Sequence, residues 1–145
     1  MKPKQGIPIV VFNASVLLAG LNNPNGGSGK LLSYQKSGKI NGIVSEIILD
    51  EAVRHAEKIR KQQSEVHTAI LALFPSIQPY PSKEEVDVYI PLVTDHGDAH
   101  LFATAKKTRA QILVSLDKAH VLALKGKIPN LTICSPGDLI LFLSH

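Results

Sequence analysis

The stretch IVVFNASVLLAG, residues Ile9 to Gly20, decides the fold of this chain. Its first part belongs to a continuous apolar run, Ile7 to Phe12 (IPIVVF), rich in β-branched residues. A run with no polar alternation reads as a strand buried on both faces, the kind found in parallel sheets. From Ala14 to Leu21 the residues favour a helix. A buried strand therefore passes directly into a helix, with the polar Asn13 at the junction.

Working outward, the same alternation recurs. Asn22 to Gly29 (NNPNGGSG) is turn chemistry throughout. Ser28 is positioned to cap a helix over Lys30 to Lys36, which Gly38 ends. Ile40 to Val44 is a short second strand. Ser45 then caps a long helix that brings Ile47, Ile48, Glu51, Ala52 and His55 near one face. Ser64 to Phe74 is an amphipathic helix, after which Pro75, Pro79 and Pro81 break the chain. That Pro-rich stretch is too short to divide domains and is expected to span one face. Lys83 to Tyr89 fits a short strand or a helical turn equally well. Asp98 to Lys107 is a helix of small residues suited to close packing. Ile112 to Val114 and Leu131 to Cys134 are the third and fourth strands, and Ser135 caps a last helix ending near Leu143. Strands alternating with helices imply an α/β domain, with a central parallel sheet flanked by helices. The expectation is one domain over residues 1–145.

Size and composition agree. A chain of 145 residues buries roughly 70% of its unfolded surface without a covalent staple. The single cysteine, Cys134, excludes an intramolecular disulfide and suits a reducing cytoplasm. In LTIC it reads as a small buried hydrophobe, not a reactive thiol. No apolar run is long enough to cross a membrane, so no membrane partner is expected. The opening MKPKQGIPIVVF reads as a basic lead into the first strand, not as a signal peptide. A formal net charge of +4 favours contact with polyanions. An aromatic content of 5% without tryptophan argues against a base-stacking platform.

In sheets of this kind, sites form beyond the carboxyl ends of the strands. Asn13 follows the first strand, and Asp117 follows the third in ILVSLDKAHVL. Asp98 opens a helix in TDHGDAHLFATA, and Glu51 lies in the first turns of one in VSEIILDEA. Brought to one rim, these four side chains form an oxygen-donor set. Clustered carboxylates repel one another, and a hard cation such as Mg²⁺ relieves that repulsion. Ser15 and Ser115 serve either to orient ligands or water, or as plain caps. Asp95, a near neighbour of Asp98, is either a substitute for it or, in preference, a turn residue, and Glu46 and Asp50 read as solvated. His96, His100 and His120 read as exposed or hydrogen-bonded histidines in preference to metal ligands. Lys106, Lys107 and Arg109 read as a solvated helix end or, as the alternative, a contact for RNA phosphates. NPNGGSG lacks the Gly-Lys-Ser/Thr ending of a phosphate loop.

In order and spacing these segments resemble the PIN domain family. The family's first strand ends in Asp-x-Asn or Asp-x-Ser before an apolar helix, where this chain has Asn13-Ala14-Ser15-Val16-Leu17-Leu18. A Ser-Glu stretch leading to a helical Glu is matched by Ser45-Glu46 and Glu51. An Asp opening an Ala-rich helix is matched by Asp98 in DAHLFATA. Thr/Ser-x-Asp after a strand is matched by Ser115-Leu116-Asp117. The closing TICSPGDLILFL also fits. The resemblance implies a divalent-metal-dependent endoribonuclease using Mg²⁺ or Mn²⁺, held by Glu51, Asp98 and Asp117 with Asn13 as a neutral fourth ligand. It also implies the toxin half of a toxin–antitoxin pair, with a small antitoxin partner, an RNA substrate and a homodimer. The departure is Asn13, where the family carries Asp. An amide lacks the charge, so three alternatives stand: a weaker natural site, a degenerate module that binds RNA or protein, or an inactivating change.

Overall fold

The computed structural model describes residues 6–144. The basic opening Met1 to Gln5, read above as leading into the first strand, lies outside the described residues. The elements run β1 (Ile9–Phe12), α1 (Ala14–Asn22), α2 (Gly27–Ser37), β2 (Asn41–Ile43), α3 (Glu46–Arg54), α4 (Gln63–Leu73), α5 (Lys83–Asp87), α6 (Ala99–Thr108), β3 (Ile112–Val114), β4 (Thr132–Cys134) and α7 (Pro136–Leu143). Short 3₁₀ turns at Ala56–Ile59, Ile90–Leu92, His96–Asp98 and Leu122–Leu124 join them. The four strands form one sheet, ordered β2-β1-β3-β4, with every pair parallel. The α/β architecture expected from the sequence is present.

Val10, Val11, Phe12, Leu113 and Val114 are wholly buried. Each such side chain contributes about 1.5–3 kcal/mol by leaving water. Phe12 meets Phe74 edge-on, with ring centroids 5.3 Å apart. Right-handed crossovers put α1 and α2 on one face of the sheet and α6 on the other. On the first side α1 packs on α2 and α3, and α2 packs on α7; on the second, α6 packs on β1, β3 and α5.

The register carries the consequence for function. Val10 pairs with Ile112, Val11 with Leu113 and Phe12 with Val114, so β1 and β3 end level. The chain leaves β1 toward β2 but reaches β3 on the opposite side. The C-terminal ends of β1 and β3 therefore mark the switch point of the sheet, where crevices open in such folds.

Local chemistry explains where the helices begin. Ser45 caps α3 as expected, its Oγ accepting from Ile48 N at 3.2 Å. Ser135 and Asp138 form a capping box at α7, and Ser82 and Glu85 another at α5, which settles that segment as helix. Two expectations need correction. Ser28 does not cap α2: the helix starts one turn earlier, with Gly26 at the cap, and Ser28 is buried inside it. The long helix after Ser45 ends at Arg54 and gives way to a 3₁₀ turn. Part of the Pro-rich stretch is tied to the sheet rim, where Gln78 N donates to Val44 O and Glu46 N donates to Gln78 O, both at 2.9 Å.

The early start of α2 depends on a close approach to the preceding turn. A Cβ at Gly29 would collide with the backbone of Pro24, whereas one at Gly27 would meet only ordinary contacts at 3.7 and 3.8 Å. Gly29→Ala is expected to lower stability by about 1–3 kcal/mol through overpacking. Gly27→Ala is expected to leave it unchanged or higher, and urea unfolding of the two variants measures the contrast.

Candidate metal centre

Asn13 sits at the end of β1, with only 8% of its surface exposed. Its Oδ1 accepts from Ala14 N at 2.8 Å, which caps α1, and its Nδ2 donates to Ser115 Oγ at 2.9 Å. Ser115, just past β3 and fully buried, also accepts from Asp117 N at 3.0 Å. Ser15 Oγ accepts from Leu116 N at 3.2 Å. The two serines thus fix the loop 115–117 against the start of α1. Their role is orientation, carried by hydrogen bonds across a sequence gap of about a hundred residues.

Asp117 takes part in this rim. Its Oδ1 accepts from His120 N at 3.0 Å, and its Oδ2 lies 3.5 Å from His120 Nδ1. Asp117 thus caps its own turn, which occupies one oxygen. Glu51 reaches the rim from α3, where its Oε1 lies 2.9 Å from Nε2 of the buried His100 of α6.

Asp98 behaves differently from an ordinary helix-opening aspartate. Its side chain makes no capping bond, and its Oδ2 is buried without a partner. Its pKa is pushed up to about 6, first by burial, then by the charges of Asp95, Asp117 and Glu51, with His100 acting in the opposite direction. Three negative neighbours acting on one half-buried carboxyl make a strained arrangement that a cation would relieve.

Among the described residues, donor atoms of Asp95, Asp98 and His120 group together, all within 4.8 Å of one another. Glu51 and Asp117 stand outside that grouping and act on Asp98 through their charge. Asp95 does hold a turn, accepting from Gly97 N at 2.9 Å, but it also contributes to the cluster. In the sequence, both Asp95 and His120 read as ligands only in second place. The available clue was spacing: each lies three residues from an expected site aspartate, on a tight turn that folds it back. The donor chemistry and the orphaned Asp98 oxygen fit a divalent cation.

Other candidates fall away. α6 runs from Asp98 away from the rim, so Lys106, Lys107 and Arg109 lie about 15 Å off, at 1.5 Å rise per residue. Lys107 pairs with Glu85 at 3.7 Å. Cys134 is buried and its thiol is pushed up to about 11, which makes it a poor nucleophile.

Comparison with known proteins follows the same lines. A family model described as PIN domain matches residues 9–119. No curated protein matches the sequence. Among solved structures, VapBC2 from Rickettsia felis, bound to a DNA fragment from its promoter, superposes with a TM-score of 0.63 at 17% identity, covering 88% of this chain and 98% of that one. PAE2754 from Pyrobaculum aerophilum superposes with a TM-score of 0.63 at 18% identity, covering 97% and 94%. At these identities the structures support the fold.

A carboxyl whose pKa rises on folding stabilises the native state at low pH and loses that contribution as pH climbs from 3.8 through about 6. Metal-free Asp98→Asn is therefore expected to be more stable than the parent above pH 6, by about 1–2 kcal/mol after solvent screening. The difference should vanish below pH 4. Urea unfolding across this range measures it.

Proposed function

This chain belongs to the PIN domain family, and from that premise we propose that it is a divalent-metal-dependent endoribonuclease, with residues 1–145 as a single nuclease domain. One observation carries the reading: a buried, unpartnered carboxylate oxygen on Asp98, set among other carboxylates beside the switch point of a parallel sheet. Asp95, Asp98 and His120 supply the closest donors, and Glu51 and Asp117 add charge around them. Asn13 contributes a neutral amide oxygen. Carboxylates suit Mg²⁺ or Mn²⁺, and a nitrogen donor in the set favours a first-row ion such as Mn²⁺ over Mg²⁺.

A divalent ion at such a site supplies Lewis acidity toward a phosphoryl oxygen and acidifies a water. The chain's own residues do the remainder. Asp98 must shed its proton to take part, so activity is expected to fail in acid below about pH 6. Ser15 and Ser115 hold the 115–117 loop so that Asp117 cannot drift from the rim. Glu51 is fixed in place by His100.

The same premise supports a toxin role in a toxin–antitoxin pair, neutralised by a small protein partner, with the chain as a homodimer in the cytoplasm. The fold shared with VapBC2 supports that role. Among the described residues no helix is long and apolar enough to cross a membrane.

Asn13 favours a second reading. Both ends of its amide are already used, one in capping α1 and one on Ser115, which is how a purely structural residue behaves. A module that binds RNA or protein without cleaving it fits that detail. Asp at this position would restore a charge, and the Ser115 hydroxyl could turn to donate to it.

RNA cleavage with Mg²⁺ or Mn²⁺ by the parent and by Asn13→Asp tests the reading. The Asp variant is expected to cleave faster, by about tenfold or more, equivalent to about 1.4 kcal/mol. Asp98→Ala is expected to be inactive. Equal inactivity of parent and Asn13→Asp on varied RNAs would favour the non-cleaving module.

A further inference from the structure

We propose that His100 is a positioning residue for Glu51, fixing one carboxylate oxygen so that the Glu51 charge stays beside the cation site. The proposal rests on the metal reading of the site given above. It starts from an anomaly in α6. Ala99, Leu101, Phe102, Ala103 and Ala105 are buried apolar residues, as a helix packed on a sheet requires. His100 lies among them with 6% exposure. A buried imidazole costs free energy unless its polar atoms are used.

Only one of them is. Nε2 lies 2.9 Å from Glu51 Oε1, while Nδ1 is buried with no partner. Thr104, one turn further along α6, makes no bond to it, and its own Oγ1 is also unpartnered. This fixes where the hydrogen sits. A hydrogen on Nδ1 alone would bury an unmet donor and set the Nε2 lone pair against a carboxylate oxygen. The N–H is therefore on Nε2 and donates to Glu51.

The mechanical consequence follows from the two helices. Glu51 is a long side chain, 30% exposed on α3, and would lose considerable rotamer freedom in being held still. His100 has its ring set by the packing around α6. α3 packs against α1 and α4, and α6 packs against β1, β3 and α5. The His100–Glu51 bond thus joins two helical layers across the rim beside Asp98. It holds the Glu51 charge where it acts on Asp98. Outer partners of this kind set the orientation of metal ligands and commonly govern affinity.

The test uses the intact chain. Nitrogen-15 NMR of the imidazole is expected to show a protonated Nε2 at His100. His100→Leu is expected to raise the Mn²⁺ dissociation constant by about tenfold or more, with the fold intact by circular dichroism. His100→Gln, which keeps an N–H at a similar reach, is expected to return it to within about threefold of the parent. A purely structural role would not give that rescue. Parent-like Mn²⁺ binding by His100→Leu, or a hydrogen found on Nδ1 alone, overturns the positioning role and leaves the metal reading standing. Absence of Mn²⁺ binding by the parent overturns the metal reading and this proposal with it. If His100→Leu does not fold, Mn²⁺ binding by His100→Gln and the ring-nitrogen spectrum decide: an affinity more than about tenfold weaker than the parent's would overturn the proposal.

Discussion

Parallel pairing of β1 with β3, in a register that ends both strands together, is the constraint on which the rest of this molecule depends. Phe12 lies beside Val114, so the next residues, Asn13 and Ser115, emerge at the same level. Their side chains can then bond directly, although about a hundred residues separate them. A slip of one residue would turn the wholly buried Val10, Val11 and Phe12 toward the wrong faces. The hydrophobic core thus enforces the alignment of the polar rim.

That alignment creates electrostatic tension. Asp98 is partly desolvated and faces three other carboxylates, and its pKa rises to about 6 as a result. A structural aspartate at a helix start would relieve the tension by capping. Asp98 does not, and its Oδ2 remains buried and unpartnered. In the free protein such an arrangement lowers stability, which is the usual cost of pre-organising a binding site. A bound cation would recover part of that stability by mass action.

Several residues serve two purposes. Asp117 caps its own turn and still bears charge on Asp98. Asp95 holds the turn at Gly97 and also faces Asp98 and His120. Asn13 caps α1 and anchors Ser115. A carboxylate or amide has more acceptor sites than a single cap consumes, so structural and chemical uses do not exclude each other. The bland and functional readings of such residues converge on the same atoms.

The sequence by itself determined the elements that local chemistry controls. Continuous β-branched runs such as IPIVVF declare strands buried on both faces, and Ser45 and Ser135 declare helix starts, because these preferences act over a few residues. It erred at Ser28, where a close approach to Pro24 through Gly29 moved the helix start, and at the length of α3. The order of Asn13, Glu51, Asp98 and Asp117 along the chain was legible as family pattern. Which donor atoms stand closest was not. Only the tertiary structure brought Asp95 and His120 next to Asp98 and set His100 against Glu51. The reason is physical: a helix cap depends on near neighbours along the chain, whereas the spacing of charges across a sheet rim depends on strand register and helix packing among residues tens of positions apart.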